Sequence, residues 1–251
     1  MVEDRKSRGN VRRSLVERGD FDGALQSLDE GIAETPREGL LYRERAHLHL
    51  YLGQTQQARS DFDVTARLAN EVFRTRPGRL HSDNEHNAIG ITYWMEGHRE
   101  LALAFWRYTT RSLFMNRVSY SRTGGGIEAG LHLWFGAIHE RTEDDIDLVR
   151  NFYEKRLVST HWSHNLKSWP GPIVRFFLKQ IDESRLIDDA KTSEHNLCEA
   201  HFAVGLRARE QRRYAAYRKH LKLAAFEGHG KTFYNFYNVF PYFLARFETQ
   251  R

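Results

Sequence analysis

Gly19-Asp20-Phe21-Asp22-Gly23-Ala24-Leu25-Gln26-Ser27-Leu28 is answered by Gly53-Gln54-Thr55-Gln56-Gln57-Ala58-Arg59-Ser60-Asp61-Phe62. Three slots keep one interval of 34 residues: Gly19 to Gly53, Ala24 to Ala58 and Leu28 to Phe62. A further copy, Gly97, Ala102 and Trp106, keeps the same internal spacing after a step of 44 from Gly53 to Gly97, one period plus ten inserted residues around Arg76-Pro77-Gly78-Arg79. A fixed period of this length means stacked supersecondary units, each unable to bury its apolar face alone. The residue types fit paired helices. The glycines suit a tight turn that needs positive φ, the alanines let two helices approach, and Leu28, Phe62 and Trp106 fill the space between units. Pro36 ends a second helix.

The helix before each glycine carries its own signature: Tyr42, Ala46 and His49 in the second unit, Ile89, Gly90 and Tyr93 in the third. These slots, with the 34-residue period, resemble the tetratricopeptide repeat (TPR) family. The resemblance implies an all-α fold: a TPR-like helical-hairpin superhelix (α-solenoid) with an inserted helical segment and a C-terminal capping helix. We expect one domain over residues 1–251, with repeat units at about 5–38, 39–72, 83–118, 124–157 and 196–228, the insertion at 159–192 and the cap at 231–249.

The later units rest on weaker signals. Ile127 to His139 and Asp145 to Arg156 read as a helix pair, with Glu143, Asp144, Asp145 and Asp147 as a solvated turn and helix start. Trp169-Pro170-Gly171-Pro172 opens a helix whose apolar face is Ile173, Phe176, Phe177 and Ile181, and Ser184 to Asp189 adds a short one. Gly205 takes the close-contact slot of the last unit, with Leu221 and Ala224 in its second helix. Lys231 to Phe247 reads as an aromatic helix over the exposed end, through Phe233, Tyr234, Phe236, Tyr237, Phe240, Tyr242 and Phe243. Trp169-Pro170 with Glu199-Ala200-His201-Phe202 and Gly205 is similar to the C-terminal half of NlpI-type bacterial TPR proteins. That resemblance implies an adaptor that holds other proteins. The sequence shows no signal peptide or lipidated N-terminal cysteine, so the binding platform is what carries over, and a cytoplasmic location is expected.

Composition narrows the classes. Apolar residues make up 40% and charged residues 28% of the 251, which excludes a disordered or collagen-like chain. No apolar run approaches the roughly 18 residues of a membrane span, so no membrane partner is expected. One cysteine, Cys198, excludes an intrachain disulfide and a cysteine zinc site, and its slot reads as a buried, inert thiol. The net charge is +5, from 38 cations and 33 anions. Cations cluster at Arg5, Lys6, Arg8, Arg12 and Arg13, and again at Arg207, Arg209, Arg212, Arg213, Arg218, Lys219 and Lys222. The second cluster is a candidate phosphate-binding face, and equally the pattern of a solvated helix surface.

No motif specifies an enzyme. Ala225 to Thr232 fits a relaxed phosphate-loop pattern but lacks the preceding strand, and reads as a turn. The histidine pairs His47/His49, His81/His86 and His161/His164 lack carboxylates at zinc-site spacing, so neither a metal nor a cofactor is expected. No G-x-S-x-G elbow occurs. By the TPR resemblance, first-helix side chains line a concave face: Leu40, Arg43, His47, Leu50 and Tyr51, then Asn84, Asn87, Ile91, Trp94 and Met95, then Leu131, Trp134 and Phe135. Arg43, His47, Tyr51, Asn87, Trp94, Trp134 and Phe135 are therefore the candidate partner-binding residues, since aromatic and arginine side chains make interface hot spots. Trp94 and Trp134 fit the space between units equally well. The Lys and Asn pairs with which TPR proteins clamp a C-terminal carboxylate are missing. A protein or peptide partner is the leading expectation, for a bacterial adaptor or an immunity-type protein. Nucleic acid bound through Arg207–Lys222 is the alternative.

Overall fold

The structure, a computed structural model, describes residues 2–74, 83–114, 126–158, 165–226 and 240–250. Those residues form thirteen helices and no strand: α1 (Val2–Glu17), α2 (Phe21–Glu34), α3 (Gly39–Tyr51), α4 (Thr55–Arg74), α5 (Asp83–Met95), α6 (Arg99–Phe114), α7 (Ile127–Glu140), α8 (Glu143–Val158), α9 (Gly171–Phe177), α10 (Glu183–Ala190), α11 (Glu194–Glu210), α12 (Tyr214–Ala224) and α13 (Phe240–Thr249). The chain is all-α, and helices that follow one another in sequence pack against one another. Arg76 to Arg79, Gly124-Gly125, His81, His161, His164 and the 228–232 turn lie outside the described residues, as do Phe233, Tyr234, Phe236 and Tyr237.

Five helix pairs, α1/α2, α3/α4, α5/α6, α7/α8 and α11/α12, turn on one backbone device. A residue of positive φ ends the first helix: Gly19 (78°), Gly53 (76°), Gly97 (86°), Arg141 (59°) and Arg212 (60°). The next N–H then reaches back five residues: Asp20 to Leu15, Gln54 to His49, His98 to Tyr93, Thr142 to Ala137 and Arg213 to Ala208, all at 2.8–3.0 Å. Each bond caps a carbonyl that the helix end leaves open. The glycines of the first three turns stand where sequence places them. The last two use arginine, which has no such signature.

The packing slots are filled as their residue types require. Ala24, Ala58 and Ala102 are buried where helices cross, and Leu28, Phe62 and Trp106 are buried between neighbours. Gly90 is dictated by contact, because a Cβ there would sit 2.2 Å from Trp106 Nε1. Tyr153 uses Gly130 the same way, at 2.7 Å, while its hydroxyl donates to Ile127 O. Helix α7 is the centre of the molecule, buried continuously from Ala129 to Ala137.

Two local expectations need correction. Helix α9 stops at Phe177 rather than running on to Ile181. Lys179 takes positive φ (59°), and Arg207 Nη2 donates to the carbonyls of Phe176 (3.0 Å) and Phe177 (2.9 Å). Asp145 belongs to no solvated turn: it is buried and receives Arg107 Nε and Nη2 at 2.6 and 2.7 Å, locking α6 to α8. Helix α9 packs on α8 and α11, and α7 meets α11 directly, so the last hairpin adjoins the fourth across the intervening segment.

Candidate binding face

The face shared by α3, α5 and α7 is covered by α13. That helix packs against α5, α11 and α12 and spans the inner sides of helices far apart in sequence. Phe240 stacks on His47 at 5.5 Å (interplanar 20°) and meets the His132 ring edge-on at 6.0 Å. Phe243 adjoins His47 at 6.2 Å. Further along, the Arg246 guanidinium lies 4.0 Å over the Tyr51 ring and Nη1 donates to Tyr51 O at 2.9 Å. Glu248 accepts from Trp94 Nε1 at 3.2 Å and lies 3.6 Å from His139 Nε2. His47 precedes Tyr51, and His132 precedes His139, just as Phe240 precedes Arg246 and Glu248. Helix α13 therefore runs parallel to α3 and α7. Parallel dipoles bring carbonyl ends together, and Arg246 supplies the cation that such an end favours.

The polar end of this face is specified bond by bond. His139 Nδ1 donates to Phe135 O at 2.8 Å, leaving Nε2 to the Tyr217 hydroxyl (3.1 Å) and Glu248. Arg99 lies 3.6 Å over the Trp94 ring on its other side. Burial pushes the Glu248 carboxyl up, but His139, Trp94 and Arg99 together outweigh it and hold its pKa below the usual glutamate value. Burial, with Glu248 nearby, pushes the Tyr217 phenol well up. The apolar end is different. Burial alone holds the His132 imidazole at about 3, and burial outweighs the Arg43 carbonyl at His47, also at about 3. Both rings are neutral at pH 7.

No protein-family model and no curated protein matches the chain.

The structure brings His47, Tyr51 and Trp94 against α13, with Phe135 edge-to-face on Trp94 at 4.8 Å. Arg43 is half-buried and contributes its carbonyl to His47 Nδ1 (2.7 Å). The exposure expected of His47, Asn87, Trp94, Trp134 and Phe135 is not found. All five are buried, because α6, α9 and α13 close over them. Trp134 leaves the group altogether, packing on Phe177 at 4.4 Å with Arg150 over its ring. Asn87 gives its carbonyl to Trp106 Nε1 (3.2 Å). Leu40 remains exposed at the N-terminal end of α3.

The arginine cluster is not one face. Arg207 is buried and structural, capping the α9 carbonyls and pairing with Glu210 at 3.4 Å. Arg209 is half-buried over the Tyr217 ring, while Arg212, Arg213 and Arg218 are exposed. In the first cluster Arg12 pairs with Glu44 and Arg13 with Glu17. Cys198 is buried against Ala224 O, and burial beside Glu199 and Glu128 pushes its thiol well up, as suits an inert side chain. Among the described residues no three His, Cys, Asp or Glu side chains are placed to hold a metal, and no helix is long and apolar enough to cross a membrane.

The sequence reading missed His132, His139, Tyr217, Phe240, Phe243, Arg246 and Glu248 as contributors to this face. Residues 231–249 were expected only to cover an exposed end. The described part, α13, does pack on α11 and α12, but also reaches α5. The one available signal was the mixed register of α13: Phe240 and Phe243 one turn apart, then Arg246 and Glu248, which an end cap facing water on one side does not need.

Proposed function

We propose that this chain is a TPR-like helical-repeat protein, a non-enzymatic adaptor or immunity-type protein that binds a protein or peptide helix on the face lined by α3, α5 and α7. The observation that supports this reading is the seating of α13. A ten-residue helix is held on that face by aromatic stacking at one end and by directed polar contacts at the other. A surface that accepts one amphipathic helix in this manner has the chemistry of helix-in-groove recognition. The repeated turn and the 34-residue spacing support the repeat assignment, and the exposed Leu40 offers a point of first contact.

The test is site-specific photocrosslinking in lysate of the native host. The photoreactive residue is placed at Leu40 in one full-length chain and at Arg218 in another. A discrete protein crosslinked from Leu40 and not from Arg218 is the expected result. Nucleic acid crosslinked from Arg218, and released from the unmodified protein by salt, favours the second reading, which the exposure of Arg212, Arg213 and Arg218 supports. Protein crosslinked equally from both positions would remove the face-specific assignment.

A further inference from the structure

The floor beneath Phe240 is polar, and α13 does not use it. Among the described residues, neither ring nitrogen of His132 and neither side-chain amide atom of Asn87 is hydrogen-bonded, although both residues are fully buried. Trp106 links the two residues. Trp106 donates to the Asn87 carbonyl and packs against the His132 ring at 5.9 Å. Asn87 shares a face of α5 with Trp94, two turns on, which binds α13 through Glu248. Directly over His132 sits Phe240, an aromatic ring with no polar atom. Buried donors and acceptors left unmet are rare and costly, and a partner bond strengthens in such low-dielectric surroundings.

The opposite end of the same helix is matched: both carboxylate oxygens of Glu248 and Nη1 of Arg246 meet partners. So α13 fits the face at its C-terminal half and leaves the N-terminal half unused. We infer that α13 is an internal stand-in, and that the helix this face is built for carries a hydrogen-bonding aromatic side chain, tyrosine or histidine, in place of Phe240. That partner helix keeps the stacking on His47 and adds a polar tip toward His132, and it displaces α13. The inference rests on the helix-binding reading above and names the partner's recognition residue. In the pattern of α13, the partner presents an aromatic with a polar tip, an apolar residue three positions on, then a cation and an acid at the sixth and eighth positions after the aromatic.

The probes are fluorescein-labelled peptides spanning residues 238–250 of this chain: the natural sequence, a Phe240→Tyr version and a Phe240→His version. They are titrated by anisotropy with full-length wild type and with full-length Arg246→Ala/Glu248→Ala, in which the resident helix competes less. The natural peptide is expected to bind the double variant about tenfold more tightly than wild type, since an attached competitor acts at high effective concentration. The Tyr or His peptide is expected to bind at least about fivefold more tightly than the natural one, the gain of one or more net hydrogen bonds. His132→Leu in the full-length chain is expected to erase that advantage.

If the natural peptide binds and neither polar version improves on it, the stand-in inference is overturned while the helix-binding face survives. If no peptide binds either chain, both fall. Circular dichroism checks the double variant. Should it fail to fold, wild type decides: the Tyr or His peptide in excess must raise amide exchange in 240–249 more than the natural peptide does, and failure to do so overturns the inference.

Discussion

Trp94 Nε1 and Glu248 Oε1 meet at 3.2 Å across 154 positions of sequence. This bond, with His139 on the other carboxylate oxygen, fastens α13 to helices at the middle of the molecule. Removing the carboxylate leaves Trp94 Nε1 without its acceptor and His139 without its anion. Glu248→Ala is expected to cost about 2 kcal/mol, in the range for lost hydrogen bonds to a charged group. The distinguishing readout is local: amide exchange accelerates in 240–249, while α11 keeps its protection. Uniform acceleration through α11 would mean that α13 is part of one cooperative core and does not open by itself.

Acid should weaken the fold through its buried imidazoles. His47 and His132 titrate at about 3 in the folded chain against 6.5 for an ordinary ring. Between those values the unfolded chain holds more protons than the folded one, so stability falls as pH drops from 6.5 toward 3. Two such rings give a limiting slope of about 2.7 kcal/mol per pH unit. Glu248, with its lowered pKa, acts in the same direction below the usual glutamate range, where its stabilisation is lost on protonation. Denaturant midpoints at pH 7, 5.5 and 4.5 measure the slope. His132→Leu should lower it by about 1.4 kcal/mol per pH unit, and a slope unchanged by that substitution would assign the effect to other groups.

The pair Arg107–Asp145 should behave as a buried ion pair. Asp145→Leu leaves Arg107 without its carboxylate in a partly desolvated place, at a cost of about 3 kcal/mol. Arg107→Met combined with Asp145→Leu should recover much of that loss, because the apolar pair avoids desolving two charges. Urea denaturation of the two single variants and the double gives the coupling. Equal losses in the double and the sum of singles would show that the two side chains act independently.

Arg141 and Arg212 hold backbone angles that favour glycine. Arg141→Gly should therefore stabilise by up to about 1 kcal/mol, the left-handed strain relieved exceeding the added freedom of the unfolded chain. Arg212→Gly should do the same and also removes one exposed cation. Melting temperatures of both variants test this, with Gly53→Arg as the reverse change, expected to lower stability. A destabilised Arg141→Gly would mean that its side chain contributes more than its backbone costs.

The repeat spacing carried most of the architecture. Gly19, Gly53 and Gly97 hold the positive φ that glycine adopts most readily, Ala24, Ala58 and Ala102 are buried where helices cross, and a Cβ at Gly90 would run into Trp106. The fourth and fifth turns were harder, since Arg141 and Arg212 tolerate the same angles without advertising them. For the face itself, the TPR resemblance put His47, Tyr51, Trp94 and Phe135 on one side, and His47, Tyr51 and Trp94 do contact α13. Periodicity says which side chains point together and nothing about what lies over them. The cover is α13, whose position depends on contacts made far away in the sequence. Trp134 went astray for the same reason: α7 is buried all round, so no register distinguishes its inner side from the side that meets Phe177. Arg207 and Asp145 look like surface charges until their partners, two carbonyls and a guanidinium, are in place.

Helix α13 is made long after the surface it covers. From the end of α5 at Met95 to Phe240 a ribosome adds about 145 residues, roughly 7–30 s of elongation at 5–20 residues per second. Throughout that interval the indole of Trp94 and the ring of His47 have no α13 to shield them. A nascent chain of this protein thus presents to its surroundings an aromatic cleft that the finished molecule keeps closed, and whatever reaches it first, a chaperone or a client helix, meets no competitor.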